Sequence, residues 1–296
     1  MERDVIVSID IGGTNFETGI LNKESLAIIG ISSKNHIRNY INSESLFDGV
    51  CLQIKNLLDK YKVDDTRIYG ISVACPGPLD VKKGIILNTL NLKLFRNYPL
   101  RDKLKERFNC KISIENDANL FALGEWFLGY KEENIFVGIT LGTGLGFGLV
   151  INKQMFTGKN GMAGEYSMSP FDGGIWEDKI CLKYIKSEIK RIYGEAISPR
   201  IIEEYAIDGD SRAKSIFDEF GNNIGFVLSH IINMLDPGVI VFGGGLSNAF
   251  NIYEKKMIET INDYCPSFQE NPCAIHESTF KSKSHMVGAA INLKKK

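Results

Sequence analysis

Two stretches of the chain read as one unit written twice: VSIDIGGTNFETGIL (7–21) and VGITLGTGLGFGLVI (137–151). Each is a strand-like run, a glycine-rich turn and a second strand-like run. Val7, Ile9 and Gly12 line up with Val137, Ile139 and Gly142. A short glycine turn between two such runs predicts a β-hairpin. Its return far along the chain predicts an internal duplication of one α/β unit, hence two similar domains. The length of 296 residues also fits two domains better than one.

The rest of the chain fits around these hairpins. Leu46, Val50, Ile54 and Leu57 predict a helix over about 43–60. IYGISVA (68–74) reads as a buried strand, broken by CPGPLD. GIILNTLNL is a short strand and a polar loop, PLRDKLKERF an amphipathic helix and CKISIE a strand. A helix is expected from Ala118 to about Tyr130, and another over FGNNIGFVLSHIINML, stopped by Asp236-Pro237. GVIVFGGG is a strand emptying into three glycines, and SHMVGAAINL starts a final helix.

Composition excludes several classes. The net charge of −1 gives no basic field for nucleic acid or anionic lipid. The most apolar helical run, IGFVLSHIINML, is short for a membrane span and carries His230. MERDVIVSID lacks a signal-peptide layout. The six cysteines are scattered and form no C-x-x-C pair, so reduced thiols in a cytoplasm are expected.

Three strands end in glycine turns: DIGGTN, LGTGLG and FGGGLS. Glycine lets backbone N–H groups approach a ligand, and several together make an anion site; each is equally readable as a tight hairpin turn. No G-x-x-x-x-G-K-[ST] is present, and GTGLGFG departs from G-x-G-x-x-G, which excludes P-loop and Rossmann signatures. A fourth strand, ISIE, runs into Asn116 and Asp117 just where a helix begins. Asn and Asp are favoured N-caps, and capping and catalysis need not exclude each other.

SIDIGGTN, CPGPLD, NTLNL, ENDANLFALGE, ITLGTGLGFGLVI, GMAGE and VIVFGGG, in that order over nearly the whole chain, resemble the ROK family of sugar kinases and repressors within the actin-like, hexokinase-type ATPases. The resemblance implies an α/β fold of duplicated actin-like (ribonuclease H-like) domains with an interdomain active-site cleft. The expected domains are 1–117 with about 283–296, and 118–282. It also implies ATP with Mg²⁺, a small-molecule sugar substrate, a cytoplasmic homodimer, and no nucleic-acid or membrane partner. Gly12, Gly13 and Thr14 would hold the nucleotide phosphates, with Asp10 near Mg²⁺ through water. Gly142, Thr143 and Gly144 would close on the phosphates, and Gly243, Gly244 and Gly245 would pass beside the adenosine. Asp117 would be the general base for the attacking sugar hydroxyl, Asn116 would bracket a hydroxyl, and Glu115 faces solvent or makes a structural hydrogen bond. Gly77, Asn91 and Glu165 match the family's sugar contacts; a plain Pro-Gly turn and a surface glutamate are the alternatives for Gly77 and Glu165.

The chain departs from the family pattern after GMAGE. Family members carry a histidine three residues after that glutamate, then C-x-C-G-x-x-G-C, together binding structural zinc. Here Met168 holds the histidine position, only Cys181 remains, and Lys183 replaces a glutamate. One cysteine cannot stand in for such a set, so no zinc site is expected. The lost histidine and glutamate are also family sugar ligands, with Tyr166 or Trp176 as candidate packing in their stead. Three rival functions follow: a sugar-responsive repressor, disfavoured because Asp10 lies close to the start and no basic patch is present; a catalytically silent sugar-binding protein; and an actin-like assembly or chaperone ATPase.

Overall fold

The structure is a computed structural model that describes residues 2–89 and 91–295. Leu90 of NTLNL, and residues 1 and 296 at the ends of the expected first domain, lie outside these. The chain divides into two compact units. The first takes the described residues up to Gly129, then Met155–Ala163 and the segment from Ser282 on; the second takes Tyr130–Gln154 and Gly164–Lys281.

The first unit is built on β1 (Val5–Ile11), β2 (Asn15–Asn22), β3 (Ile28–Ile31), β4 (Ile68–Cys75) and β5 (Lys111–Asn116), in the order β3-β2-β1-β4-β5. β1 and β2 form the expected antiparallel hairpin, while β1–β4 and β4–β5 are parallel. Central strands of such a sheet are covered on both faces and so carry continuous apolar runs; Val5, Val7, Ile9, Ile71 and Val73 are fully buried. Helix α1 spans Ser43–Lys60, as its periodicity predicts. Asn42 Oδ1 accepts the Ser45 N–H at 2.8 Å and Ser45 Oγ accepts the Asn42 N–H at 3.2 Å, a capping box that fixes the start. α2 (Leu100–Arg107) and α3 (Asp117–Gly129) follow.

A second sheet repeats the plan with β6 (Ile135–Leu141), β7 (Leu145–Ile151), β8 (Gln154–Met155), β9 (Val239–Gly243) and β10 (Ala274–Glu277), in the order β8-β7-β6-β9-β10, and lies in the second unit but for Met155. β6–β7 is antiparallel, and β6–β9 and β9–β10 are parallel. The strand order matches the first sheet, and so does the sense of the β6–β7, β6–β9 and β9–β10 pairs, so the duplication extends well past the two hairpins. The helices of the second unit are α4 (Leu182–Tyr193), α5 (Pro199–Ile207), α6 (Ser211–Leu235), α7 (Phe250–Tyr264) and α8 (Pro266–Glu270). α6 starts well before the apolar run at Phe220, because Asp210 caps it by accepting the N–H groups of Arg212 (2.8 Å) and Ala213 (3.1 Å). It stops where Asp236 turns left-handed (φ 46°) ahead of Pro237. No described helix is long and apolar enough to cross a membrane.

The last helix, α9 (Ser282–Lys295), follows β10 in the chain yet belongs to the first unit. It packs on α3 through two glycines. A Cβ on Gly124 would lie 1.8 Å from the Ser284 carbonyl oxygen, and one on Gly288 would lie 1.9 Å from that of Leu120. This contact of backbones keeps α3 with the first unit, whereas a boundary at residue 117 assigns that helix to the second. Gly288→Val should therefore destabilise the fold by about 3 kcal/mol, the upper end of ordinary overpacking. Gly142→Ala, where a Cβ meets nothing within 4 Å, should leave stability unchanged. Urea midpoints of the two variants check this, and equal midpoints would refute it.

Candidate active site

The register of the first sheet brings together the candidate site residues of the first unit. Asp10 pairs with Ala74, Ala74 with Glu115, and Cys75 with Asn116. Asp10, Asn116 and Asp117 therefore emerge at the carboxyl ends of β1 and β5, on the edge where open α/β sheets bind ligands. Gly77, two residues past the end of β4, follows at the same edge, and its peptide bond to Pro78 is cis.

Within END the three polar residues divide the work. Glu115 is 2% exposed, which settles it inward; its Oε1 accepts from Asn119 Nδ2 at 3.3 Å and from the Asn116 N–H at 3.1 Å. Asn116 Oδ1 accepts the Asn119 N–H at 3.2 Å, the N-cap bond of α3. Asp117 is the first residue of that helix and its Oδ1 accepts the Ala118 N–H at 2.9 Å. The cap is thus mainly the work of Asn116. The positive end of the helix dipole favours an anion at Asp117.

Burial acts the other way. The Asp117 carboxyl is raised above the ordinary aspartate range, chiefly by removal from water, with the Asp10 charge adding; His285 and the backbone N–H groups partly offset this. A carboxylate so raised is a better base than an ordinary aspartate near 4. Glu17 stands directly opposite Asp10 across the hairpin and is 9% exposed; burial raises its carboxyl too, with Lys34 opposing. The buried Cys75 thiol is pushed up by desolvation and by the charges of Asp117, Glu115 and Asp10. Sequence reading missed Glu17 and His285. The period of β2 marks position 17 as inward-facing, but no motif flags either residue.

The first glycine turn is closed by Gly12 N–H donating to Asn15 O (2.9 Å), and its counterpart by Gly142 N–H donating to Gly144 O (3.0 Å). These two amides are engaged within their turns. Thr14 and Thr143, one in each turn, are both exposed. The glycines differ in what surrounds them. A Cβ on Gly13 would come within 2.7 Å of the Asn91 carbonyl oxygen, so the loop bearing Asn91 packs directly on the first turn. In the second unit, Thr140 pairs with Gly243, which brings the GTG and GGG segments to one sheet edge. Gly243 is buried in β9; Gly244 has φ +90° and would drive a Cβ to 2.1 Å from the Leu141 carbonyl. Gly142 and Gly245 meet nothing within 4 Å, so packing does not explain their lack of a side chain.

Glu165 opens a 3-10 turn over Glu165–Met168 that packs on β7, with Gly164 (φ +90°) against the Phe147 carbonyl. Tyr166 hydrogen-bonds His230. Trp176, 2% exposed, stacks on Phe171 at 3.7 Å and packs against Phe226 at 5.5 Å. This buried Trp176 is a core residue of the segment and offers no free surface to a substrate; of the apolar residues there, Met168 is 49% exposed. Glu177, which carries no motif, accepts the Leu145 N–H at 3.0 Å, and Leu182 N–H donates to Gly142 O at 2.8 Å, so the segment braces both ends of the GTG turn. Burial raises the Glu177 carboxyl. Cys181 lies buried at the head of α4. Among the described residues no three His, Cys, Asp or Glu gather to hold a metal ion. A magnesium ion carried by phosphates and its own waters needs only one or two carboxylates, and Asp10 beside the first glycine turn fits that requirement.

Residues 6–296 match the model of the ROK family. A glucokinase of Halalkalibacterium halodurans is 30% identical over 274 residues, 82% of this chain and 81% of the relative. An N-acetyl-D-glucosamine kinase of Pectobacterium carotovorum subsp. carotovorum is 28% identical over 266 residues, 83% of this chain and 85% of the relative. Among solved structures, a ROK family glucokinase from Streptomyces griseus in complex with glucose and AMPPNP matches with a TM-score of 0.82 at 23% identity, over 99% of this chain and 100% of that one. That likeness gives the fold, an actin-like pair of domains.

A carboxyl that binds its proton more tightly folded than unfolded loses stability as pH rises from its unfolded value through its folded one. Asp117 is such a group. Asp117→Asn should therefore raise the melting temperature at pH 7, with the gain shrinking as the pH falls toward 4. Thermal denaturation at several pH values checks the sign; a variant less stable at pH 7 and no different at pH 4 would contradict it.

Proposed function

The chain belongs to the ROK family and is a sugar kinase, and on that premise we propose that it transfers the γ-phosphoryl group of ATP to the 6-hydroxyl of a 2-acetamido hexose, with N-acetylmannosamine as the substrate. The observation that carries the reading is Asp117: a partly buried carboxylate with raised proton affinity, at the head of α3 and on the sheet edge that carries Asp10. The sugar oxygen attacks the γ-phosphorus, the bond to the leaving ADP oxygen breaks, and the hydroxyl proton passes to Asp117. Phosphoryl transfer is mainly positioning and charge stabilisation, so a base that orients the hydroxyl suffices. Asn116, Asn91, Gly77 and Glu165 bind the sugar. Gly12, Gly13 and Thr14, with Gly142, Thr143 and Gly144, cradle the phosphates, and Gly243, Gly244 and Gly245 border the adenosine. The open space at Gly142 and Gly245 supports a ligand there. Asp10 would hold a magnesium ion, which would supply neutralisation of charge on the phosphates.

For the sugar, the relatives support a hexose or an N-acetylhexosamine. Met168 and Lys183 stand where the family pattern has ligands for the C1 and C2 hydroxyls. Such hydroxyls lose free energy when desolvated without partners. An acetamido methyl gains from the half-exposed Met168. Among acetamido sugars the family resemblance favours N-acetylmannosamine. Glucose is the second reading, supported by the 30% identical glucokinase. The reading extends to a cytoplasmic homodimer; six free cysteines support the compartment and family resemblance the pairing.

Two measurements test this. Coupled ADP release over a sugar panel should give a kcat/KM for N-acetylmannosamine above that for glucose. A ratio below one overturns the amino-sugar reading and leaves the kinase intact, while sugar-independent ATP turnover favours an assembly ATPase. In the same assay Asp117→Asn should lose roughly 10²–10⁴-fold in turnover, the usual worth of a general base. Wild-type turnover in that folded variant would remove Asp117 from the role.

A further inference from the structure

The GTG turn that joins β6 to β7 is fastened at both ends by a segment outside the hairpin. At its entry the Gly142 carbonyl accepts the N–H of Leu182, the first residue of α4, at 2.8 Å. At its exit the Leu145 N–H donates to Glu177 Oε2 at 3.0 Å. Within the turn Gly142 N–H donates to Gly144 O at 3.0 Å. Between the fastened ends Thr143 is exposed, and a Cβ on Gly142 would meet nothing within 4 Å. The turn is thus held from behind and open in front.

Of the two fastenings, the one at Leu145 is made by a side chain, and that side chain stands on a rigid support. Glu177 is the middle residue of a 3-10 turn over Trp176–Asp178. Lys179 and Ile180 donate their N–H groups to Trp176 O at 3.0 and 3.1 Å, which closes it. Trp176 is buried and stacked on Phe171, and Ile180 is buried too, so the turn is anchored in the core on both sides of Glu177. Asp178 engages its own carboxylate locally, accepting the Ile175 N–H at 3.1 Å. A side chain on an anchored turn holds its partner more closely in place than one on a free loop.

Packing does less to fix the exit of the turn. Leu141 and Leu145, the residues on either side of it, line an apolar cavity with Ile180 and Phe242. Side chains that border a void forgo contacts on that side and constrain the backbone less. Gly244 comes close to the Leu141 carbonyl, which steadies the entry. The exit depends on the hydrogen bond to Glu177.

We propose that Glu177 is a positioning residue for the GTG turn: by holding the Leu145 N–H it fixes the exit of the turn in the conformation that receives the nucleotide phosphates. This rests on the reading of that turn as a phosphate cradle. Glu177 acts through the backbone of the turn. A carboxylate repels phosphate, and this one faces an amide.

Glu177→Leu removes the acceptor, and Glu177→Gln keeps one. With ATP and the best sugar of the panel, the KM for ATP should rise about tenfold in Glu177→Leu, the worth of one hydrogen bond to a charged group. The KM for the sugar should stay within about threefold, because Trp176 holds the rest of the segment without Glu177. Glu177→Gln should return the KM for ATP to within about threefold of wild type. An equal rise in both KM values, an unmoved KM for ATP, or a Glu177→Gln variant no better than Glu177→Leu overturns the proposal and leaves Glu177 a role in packing. If circular dichroism shows Glu177→Leu unfolded, Glu177→Met is read by the same criterion; if both are unfolded, the residue serves the fold and the proposal falls. Gly142→Asp runs alongside and sets a carboxylate in the open space of the turn. An unmoved KM for ATP in that variant overturns the phosphate reading and this proposal with it. A raised KM for ATP in Gly142→Asp with an unmoved one in Glu177→Leu overturns this proposal alone.

Discussion

The contact between α3 and α9 is made by backbone. Gly124 sits against the Ser284 carbonyl and Gly288 against that of Leu120, at distances that leave no room for a side chain on either glycine. Two helices far apart in the chain are thereby fixed in one rotation about each other, since a turn of either would bring a Cβ into the contact. The consequences run outward from there. α3 carries Asp117 at its head, and α9 carries His285 and the Met286 that packs on β2. The geometry of the carboxylate edge therefore depends on two residues that have no side chain.

That edge is assembled against electrostatic preference. Asp10 and Glu17 are cross-strand partners, and like charges directly opposite destabilise a sheet. Asp117 adds a third carboxylate, raised by burial and by Asp10. Natural chains tolerate such conflict mostly at working sites, where a perturbed proton affinity is useful. Here burial and Asp10 raise the proton affinity of Asp117, while His285 and the amides at the head of α3 limit the upward shift. Acidic residues on successive strands make the charge, and the one imidazole moderates it.

The duplicated sheets use glycine in two ways. At Gly13, Gly164 and Gly244 another part of the chain passes so close that a Cβ has no place. At Gly142 and Gly245 the space is open, which is where a ligand-facing role has its strongest support. The segment in which this chain departs from its family is braced by stacked aromatics around Trp176 and by two hydrogen bonds to the GTG turn. Packing and the half-buried carboxylate of Glu177 thus tie the segment to the candidate phosphate turn.

Much of this was legible in the sequence, because it is encoded within a few residues. The hairpins follow from glycine turns between apolar runs, and the span of α1 from its period and the Asn42–Ser45 cap. Asp117 stood out because a strand, a cap and a carboxylate fall together within ENDANLF. Local pattern could not say which of Asn116 and Asp117 caps α3, since both residue types serve; the helix start decided it. Nor could it show that Trp176 is buried, that α3 stays with α9, that Glu17 pairs with Asp10 across the hairpin, that the ring of His285 packs on Phe121, or that Glu177 holds the Leu145 N–H. Those facts depend on strand register and helix contact between segments up to the whole chain apart. A proton affinity is set by whichever charges and walls the fold brings near, and their distance in sequence carries no trace of that.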